Sequence, residues 1–557
     1  MKVKMLLIGI LLLGVFAFAA CANNDPAATP APAATATPAP IAPVVTPTPA
    51  PEEAAFTYPM DTDVTVTWWK ETAGNWAPFL SNYGESAFSR ALIEQTGVNI
   101  EWIHPPSGQA PEVFNIMVAS GQFPDIIEWA WTSQFPGGAI AAIQDRVIIN
   151  MDEPMAQWAP NFMHFLYEHP HIHRQVVTDE GTFFAFPFLR ADDILKTTTG
   201  PIVRADWLES LGLDVPQTIE DWETMLVAFR DEKGATTGFT GQAGSGDPNG
   251  LLNTFLPAFG IRNGFFVEDG QVVYGNTTDE FRAFLELMAR WYAEGLIDQN
   301  IFATTRAEMD AAILTGTSGA VIGPGGGALG PWLHAGWAQD PNYDLTAVRF
   351  PTFDANVWTR HGGTSNDLAD GSRGHAAISS SATEIEIITR LLDFAFSEEG
   401  HLLYNFGPYG VSWNWVDGVP TYTEIVTNNP EGRTFAQALT YFARGAFNGP
   451  FNQDPWYLIQ FYALDQQKAA LDFWRQQDNP ESTIMPPISH TPADAQTIAA
   501  RMADIDTYRR EQVSLFITGA QPINDATWNT FVTNLNNMGV PQVRDIHQTA
   551  LERFFLR

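Results

Sequence analysis

Between residues 64 and 129 the chain switches between two periods. Val64-Thr65-Val66-Thr67-Trp68 and Val98-Asn99-Ile100-Glu101-Trp102 show the two-residue alternation of strands, and Asp125-Ile126-Ile127-Glu128-Trp129 reads as a third strand. Between them, 86–95 puts Phe88, Leu92 and Ile93 on one helical face before Gly97, and 112–120 ends at Gly121. Glycine there suits the left-handed residue that closes a helix. Strand–helix–strand–helix–strand over this short stretch predicts an open, mostly parallel sheet. Ligands of such sheets bind beyond the carboxyl ends of the strands. Those ends carry Trp68-Trp69, the residues after Trp102, and Trp129-Ala130-Trp131.

Helical periods dominate later. Thr218-x-x-Asp221 precedes the stripe Trp222, Met225, Leu226 and Phe229; Thr277-x-x-Glu280 precedes Phe281, Phe284, Leu285, Met288 and Trp291, with Gly295 as the stop. Thr383-x-x-Glu386 precedes Ile388, Leu391 and Leu392, with Gly400 as the stop, and Thr491-Pro492 opens a long helix towards Phe516. These are capping patterns followed by core-facing stripes.

The N-terminus sets the compartment. Lys2 and Lys4 lead into an apolar run over 5–20 that ends at Cys21, the only cysteine. This is a secretory signal, 1–20, too short to span a bilayer stably. Ala17-Phe18-Ala19 fits an ordinary signal-peptidase site. Phe18-Ala19-Ala20-Cys21 resembles the bacterial lipobox, with Phe18 where leucine is usual. A lone secreted thiol has no disulfide partner, so lipidation of Cys21 is expected, anchoring the chain on the extracellular face of the cytoplasmic membrane. Residues 21–56 are nearly all Ala, Pro and Thr and predict a disordered linker that reaches ~100 Å at ~3.1 Å per residue. No later run is apolar and long enough for a membrane helix.

The remainder of the 557 residues is too long for one ordinary core, so two lobes or more are expected. With 29 basic against 63 acidic residues the formal charge is −34, which argues against nucleic acid or anionic lipid as partners. The 18 tryptophans supply flat faces suited to sugar rings, although large cores use them too.

Thr96-Gly97-Val98-Asn99-Ile100-Glu101-Trp102 and Met117-Val118-Ala119-Ser120-Gly121-Gln122-Phe123-Pro124-Asp125 resemble family 1 extracellular solute-binding proteins. So do Gly181-Thr182-Phe183-Phe184-Ala185-Phe186-Pro187, Val203-Arg204-Ala205-Asp206-Trp207-Leu208, Trp291-Tyr292-Ala293-Glu294-Gly295, Ser397-Glu398-Glu399-Gly400 and Ile505-Asp506-Thr507-Tyr508. Their joint order is similar to the large, oligosaccharide-binding lipoproteins of Gram-positive bacteria. The resemblance implies an α/β, two-lobed periplasmic-binding-protein-like clamp of type II. Each lobe would be a mostly parallel sheet flanked by helices, with extra C-terminal helices. Lobe 1 would take 57–185 and 352–403, lobe 2 188–348 and 404–557, with Val348-Arg349-Phe350-Pro351-Thr352-Phe353 returning to lobe 1.

It further implies an oligosaccharide ligand held by hinge closure, ABC permease subunits as partners, a monomer, and no catalysis. Candidate ligand contacts are Trp68, Trp69, Trp129, Trp131, Trp332 in Gly330-Pro331-Trp332, Trp413, Trp415 and Arg204. For Arg204 an ion pair with Asp206 or Glu209 is an equal reading. A uronic rather than neutral ligand would need Arg204, Arg349 or Arg360 in the cleft. No cofactor is expected, since 231–239 lacks the alternating oxygen ligands of the calcium loop that some relatives carry.

His169-Pro170-His171-Ile172-His173 matches no metal spacing and reads as a solvated loop. Gly323-Pro324-Gly325-Gly326-Gly327 lacks the Lys-Ser/Thr of a P-loop and reads as a flexible turn. Asp192-Asp193 point apart, as neighbours do, and make a poor hydrolytic pair. Two other classes stay open: a secreted glycoside hydrolase or polysaccharide lyase, and a carbohydrate-binding adhesin or sensor.

Overall fold

The alternation near the start of the chain folds into one four-stranded sheet in the computed structural model, which describes residues 56–557 except 73–75, 370–372 and 446–447. The signal 1–20, Cys21 and the linker up to residue 55 lie outside the described residues. Strands β1 (Thr65–Trp69), β2 (Asn99–Ile103) and β3 (Ile126–Trp129) run parallel, and β10 (His375–Ile378) joins antiparallel beside β3, giving the order β10-β3-β1-β2. Helices α1 (Ala87–Thr96) and α2 (Ala110–Ser120) make the crossovers. Ser86 caps α1 by accepting from the Ser89 N–H, and Gly97 closes it at φ 78°. A side chain at Gly97 would collide with the Met60 carbonyl, so glycine is required twice over there.

The second lobe is built on β4 (Thr199–Arg204), β5 (Phe239–Thr240), β8 (Ala320–Pro324) and β9 (Leu345–Ala347), in the order β5-β8-β4-β9. Only β5 and β8 are parallel; β4 opposes both its neighbours. The expected mostly parallel sheet is therefore mixed in this lobe, because the chain enters along β4 and leaves along the antiparallel β9. Two hairpins are added, β6 (Phe265–Glu268) with β7 (Gln271–Tyr274), and β11 (Trp413–Val416) with β12 (Val419–Tyr422).

Two helix boundaries differ from expectation. Thr278, not Thr277, caps the helix Asp279–Ala293 through the Phe281 N–H. The helix Ile385–Asp393 stops short of Gly400, which instead lies in the first turn of Glu398–Phe406, capped by Ser397. The reason is local: Ser397 accepts the Gly400 N–H, and a side chain at Gly400 would collide with the Phe394 carbonyl. The histidine run is a helix, Pro170–Val176, rather than a loop, and His173 packs edge-on against Phe183. The glycine run is no flexible turn either: Gly325–Leu329 is a wide helical turn, and side chains at Gly325 or Gly326 would strike Tyr462 and Phe461.

The lobe boundaries move as well. Residues 348–353 stay with lobe 2, since the Val348 N–H donates to Pro201 O and the Ile219 N–H to Thr352 O. The return to lobe 1 comes at Leu368, which bridges to Leu189. Tyr404 and Phe451, expected in lobe 2, join the lobe 1 core of Trp68, Phe88 and Leu92. Lobe 2 resumes with the helix Asp465–Trp474, whose Trp474 Nε1 donates to Pro201 O at 3.2 Å.

A buried ion pair adds to the packing on lobe 1. Arg444 donates Nη1 and Nη2 to the two carboxylate oxygens of Glu128 at 2.9 and 2.8 Å, with both side chains shut off from water. Removing either partner strands the other charge in the core. We expect Glu128→Gln or Arg444→Met to cost about 3–5 kcal/mol in urea unfolding. The double variant Glu128→Leu/Arg444→Met should recover most of that loss. Additive single losses would contradict the pairing.

Candidate functional site

In lobe 1 the parallel strands end on one edge. β1 runs into Lys70 and Glu71, β2 into His104, β3 into Ala130 and Trp131, and β10 begins there at His375, just after Arg373. Lys70 is 1% exposed and sits 4.3 Å over the Tyr83 ring and 5.7 Å over Trp76. Burial, reinforced by Arg444, holds its pKa well below the usual lysine range. Arg373 donates to both oxygens of Glu71, at 3.1 and 3.0 Å, and its Nε to Gln134 at 2.6 Å.

His104 has a defined tautomer. Its Nε2 accepts the Tyr83 N–H at 3.1 Å, so the proton rests on Nδ1, which lies 3.1 Å from the Lys70 carbonyl. Burial lowers its pKa from 6.5 to about 4. The neutral ring is thus the stabilising form: its contribution is whole above pH 6.5 and is lost as pH falls through about 4. We expect the thermal midpoint of the wild type to fall more steeply between pH 6.5 and 4 than that of His104→Gln. Parallel curves would refute this.

In lobe 2, β5 and β8 end at Gly241 and Gly325. Gly325 and Gly326 bring backbone directly against the rings of Tyr462 and Phe461. Arg306 holds this turn by donating to Gly327 O at 2.6 Å and to Asp310 at 2.7 Å.

Between the two edges, three passages of the chain meet at Leu189. It bridges antiparallel to Leu368 and parallel to Asn452. The Leu189 N–H donates to Phe451 O at 3.0 Å, the Gln453 N–H to Leu189 O at 2.9 Å, and the Arg190 N–H to Asp367 O at 2.8 Å. Beside this seam Lys196, nearly buried, contacts Asp367, Asp193 and Glu481 at 2.9, 3.0 and 2.7 Å. Gln175 of lobe 1 donates to the same Asp367 at 2.7 Å. A further tie runs from the C-terminal helix Val540–Phe554 of lobe 2 and the residues after it: Arg553 and Arg557 both pair with Asp179 of lobe 1.

Most of the candidate residues are placed elsewhere than expected. Trp68 and Trp69 point to opposite faces, as strand neighbours do, and helices cover both faces. Trp68 stacks on Trp102 at 4.8 Å, while Trp69 packs against Phe114 and Trp129. Trp129 stacks on Phe114 at 4.1 Å, and Trp131 is buried with its Nε1 donating to His375 O at 2.9 Å. All four are core residues in this structure. Trp332 is buried too, its Nε1 bonded to Asp310 at 2.8 Å; Trp413 donates to Gly407 O at 2.7 Å.

Trp415 alone is open, 49% exposed, and lines a cavity of about 450 Å³ with Phe396, His401, Asp454 and Trp456. Arg204 takes the ion-pair alternative: it grips Asp206 at 2.8 and 2.6 Å, sandwiched 4.4 Å from Trp207 and from Tyr343. Arg349 donates to Ala355 O, Val357 O and Thr352, and Arg360 to Glu268 and Ser482. In 231–239, Asp231 accepts from Arg230 at 2.6 Å. Asp192 accepts the Ile194 N–H, and Asp193 pairs with Lys196.

Lys70, Glu71, His104, Arg190 and Arg373 were missed by sequence reasoning. The first two follow Trp68-Trp69 directly, so the strand-end rule that singled out the tryptophans pointed to them. Arg190 closes the run Phe186-Pro187-Phe188-Leu189-Arg190, three residues past a family-like segment.

Two lobes joined by a hydrogen-bonded hinge, each offering strand ends towards it, define a solute-binding clamp. The model of the bacterial extracellular solute-binding protein family matches residues 81–401, and the chain belongs to that family. It is 25% identical over 377 residues to lipoprotein LipO of Bacillus subtilis, spanning 65% of this chain and 70% of that protein. It is also 25% identical over 231 residues to the fructooligosaccharide ABC transporter substrate-binding protein FusA of Streptococcus pneumoniae, 39% of this chain and 42% of that one. The crystal structure of the alginate-binding protein AlgQ2 superposes with a TM-score of 0.69 at 20% identity, covering 89% of this chain and 99% of that chain. At that identity the likeness concerns the fold.

Proposed function

We propose that the chain is the extracellular receptor of an ABC importer and captures an oligosaccharide between its lobes. The observation that carries this is the seam at Leu189, where three passages of the chain form a hinge between two sheet edges. Closure about a hinge is how a two-lobed receptor traps its ligand. To move a mostly open clamp to mostly closed, the ligand must favour the closed form by about 5 kcal/mol, which fits within the roughly 8 kcal/mol of micromolar binding. Family membership and a relative named for fructooligosaccharide support the ligand class.

The receptor releases its ligand unchanged and performs no catalysis, and it acts as a monomer beside its permease. Cys21 carries the lipid anchor, a reading supported by the lipoprotein relative. Among the described residues no helix is long and apolar enough to cross a membrane. Cys21→Ser is expected to move the chain from the membrane fraction into the medium, followed by immunoblot; retention in the membrane would count against the anchor.

For the ligand, thermal unfolding of the full chain against neutral and acidic mono- and oligosaccharides is the direct test. A sugar at a hundred times its dissociation constant adds about 2.7 kcal/mol to stability. A selective rise in the midpoint with oligosaccharides, and recovery of the sugar intact, is the expected result. Cleavage of the sugar would favour the hydrolase or lyase instead.

A further inference from the structure

The basic residues that face the hinge and the two strand edges are almost all occupied. At the lobe 1 edge Arg373 is held by Glu71 and Gln134, and Arg444 by Glu128 and Asn448 O. Lys70 is buried on the Tyr83 ring, and Lys196 sits among three carboxylates. At the lobe 2 edge Arg306 is held by Asp310 and Gly327 O. The segments 73–75, 370–372 and 446–447, outside the described residues, contain no lysine or arginine in the sequence.

Arg190 stands apart. It directly follows Leu189, and its one side-chain hydrogen bond among the described residues is from Nε to Gln453 Oε1, an uncharged acceptor, at 3.1 Å. Its guanidinium carbon lies 5.5 Å from the Phe188 ring, and the residue is only partly buried. Among the described residues no carboxylate pairs with it, in a chain with more than twice as many acidic as basic residues.

Its position matters as much as its freedom. Phe188, two residues earlier, lies against Gly374 at the lobe 1 edge, where a side chain on Gly374 would come 3.2 Å from it. Gln453, which Arg190 contacts, donates in turn to the carbonyl of Gly445, close to the Arg444 anchor. On the other side, the Arg190 charge reaches Tyr457 and Tyr462, and Tyr462 packs on Gly325 at the lobe 2 edge. Arg190 is therefore on the hinge between the two edges, and among the described residues neither Nη1 nor Nη2 makes a hydrogen bond.

Resting on the oligosaccharide reading above, we infer that Arg190 is a ligand-binding residue that sets specificity, donating its two terminal nitrogens to a pair of neighbouring oxygens on the sugar. A guanidinium presents parallel N–H groups that match a carboxylate or two vicinal hydroxyls. The shared chemistry is this oxygen pair; a uronate and a neutral diol are its two sources. Glutamine at 190 would keep a hydrogen-bonding stem but lose both the fork and the charge. Lysine would keep the charge and lose the fork.

The test is titration calorimetry of the full chain and of Arg190→Gln and Arg190→Lys, with a neutral fructo-oligosaccharide, a neutral xylo-oligosaccharide and an oligogalacturonate. For the sugar that binds the wild type, Arg190→Gln should weaken affinity at least about tenfold, the loss of a charge-assisted contact. The unliganded thermal midpoints should match, which a merely structural role would not allow. If the oxygen pair is a carboxylate, the oligogalacturonate binds, wild-type affinity falls as salt is raised, and Arg190→Lys retains part of it. If it is a diol, a neutral sugar binds, affinity is insensitive to salt, and Arg190→Lys is as weak as Arg190→Gln. Affinity within twofold of wild type in Arg190→Gln would overturn this inference and leave the receptor reading intact. Failure of every sugar to bind the folded wild type would overturn both together.

Discussion

Everything that makes this molecule a clamp passes through the peptide groups around Leu189. A chain that crosses between lobes must satisfy its backbone polar groups at the one place where the structure has to bend. Here the crossing passages satisfy one another: Leu189 gives its N–H to Phe451 and takes the Gln453 N–H, while Arg190 gives its N–H to Asp367. The passages are thus coupled, and rotation of one lobe turns them together rather than stretching any one. The Lys196 cluster beside the seam keeps several charges in contact, so its grouping does not depend on a single pair holding its distance.

The placement of charge follows a related logic. With −34 overall, unpaired cations are scarce, and the structure uses them mainly to hold backbone and carboxylates in place. Arg204 is clamped between two aromatic rings on Asp206. Arg262 donates to the carbonyls of Gly362, Arg360 and Pro480 and to Thr483, and burial brings its pKa down to about 10. Arg444 closes lobe 1 over Glu128. A guanidinium with three or four acceptors is a fastener of loops, and a site built on such residues has little left to offer a ligand.

The parts of the fold that were legible in the sequence are those written locally. The alternation at 64–68 and 98–102 and the caps at Thr218 and Thr491 name the elements they form. The helix ending at Asp393 was misjudged because the stripe carries on past the break, which is made by Ser397 and the carbonyl of Phe394. The lobe assignment of Tyr404 and Phe451 was out of reach for a different reason. It rests on contacts distant in sequence, such as Arg444 meeting a glutamate 316 residues away, and no local pattern announces those. Trp68, Trp69, Trp129 and Trp131 are buried in this structure because α1 and α2 cover both faces of the first sheet, which a strand-end rule takes no account of. Arg190 was overlooked because a residue on a crossing passage has no periodicity to mark it.

The tryptophans that fill lobe 1 also decide what light can report about this protein. Trp68, Trp69, Trp129 and Trp131 are sealed between sheet and helices, so their emission is governed by packing and by nothing that enters from solvent. The open indoles are Trp358, Trp415 and Trp456, of which the last two line a surface cavity beside the β11–β12 hairpin. Intrinsic fluorescence is therefore dominated by a large signal that tracks the integrity of the core, with a smaller, wavelength-shifted component from that cavity and from Trp358. A quencher added from outside would address the second population while leaving the first untouched, so the two are separable in one cuvette without labelling.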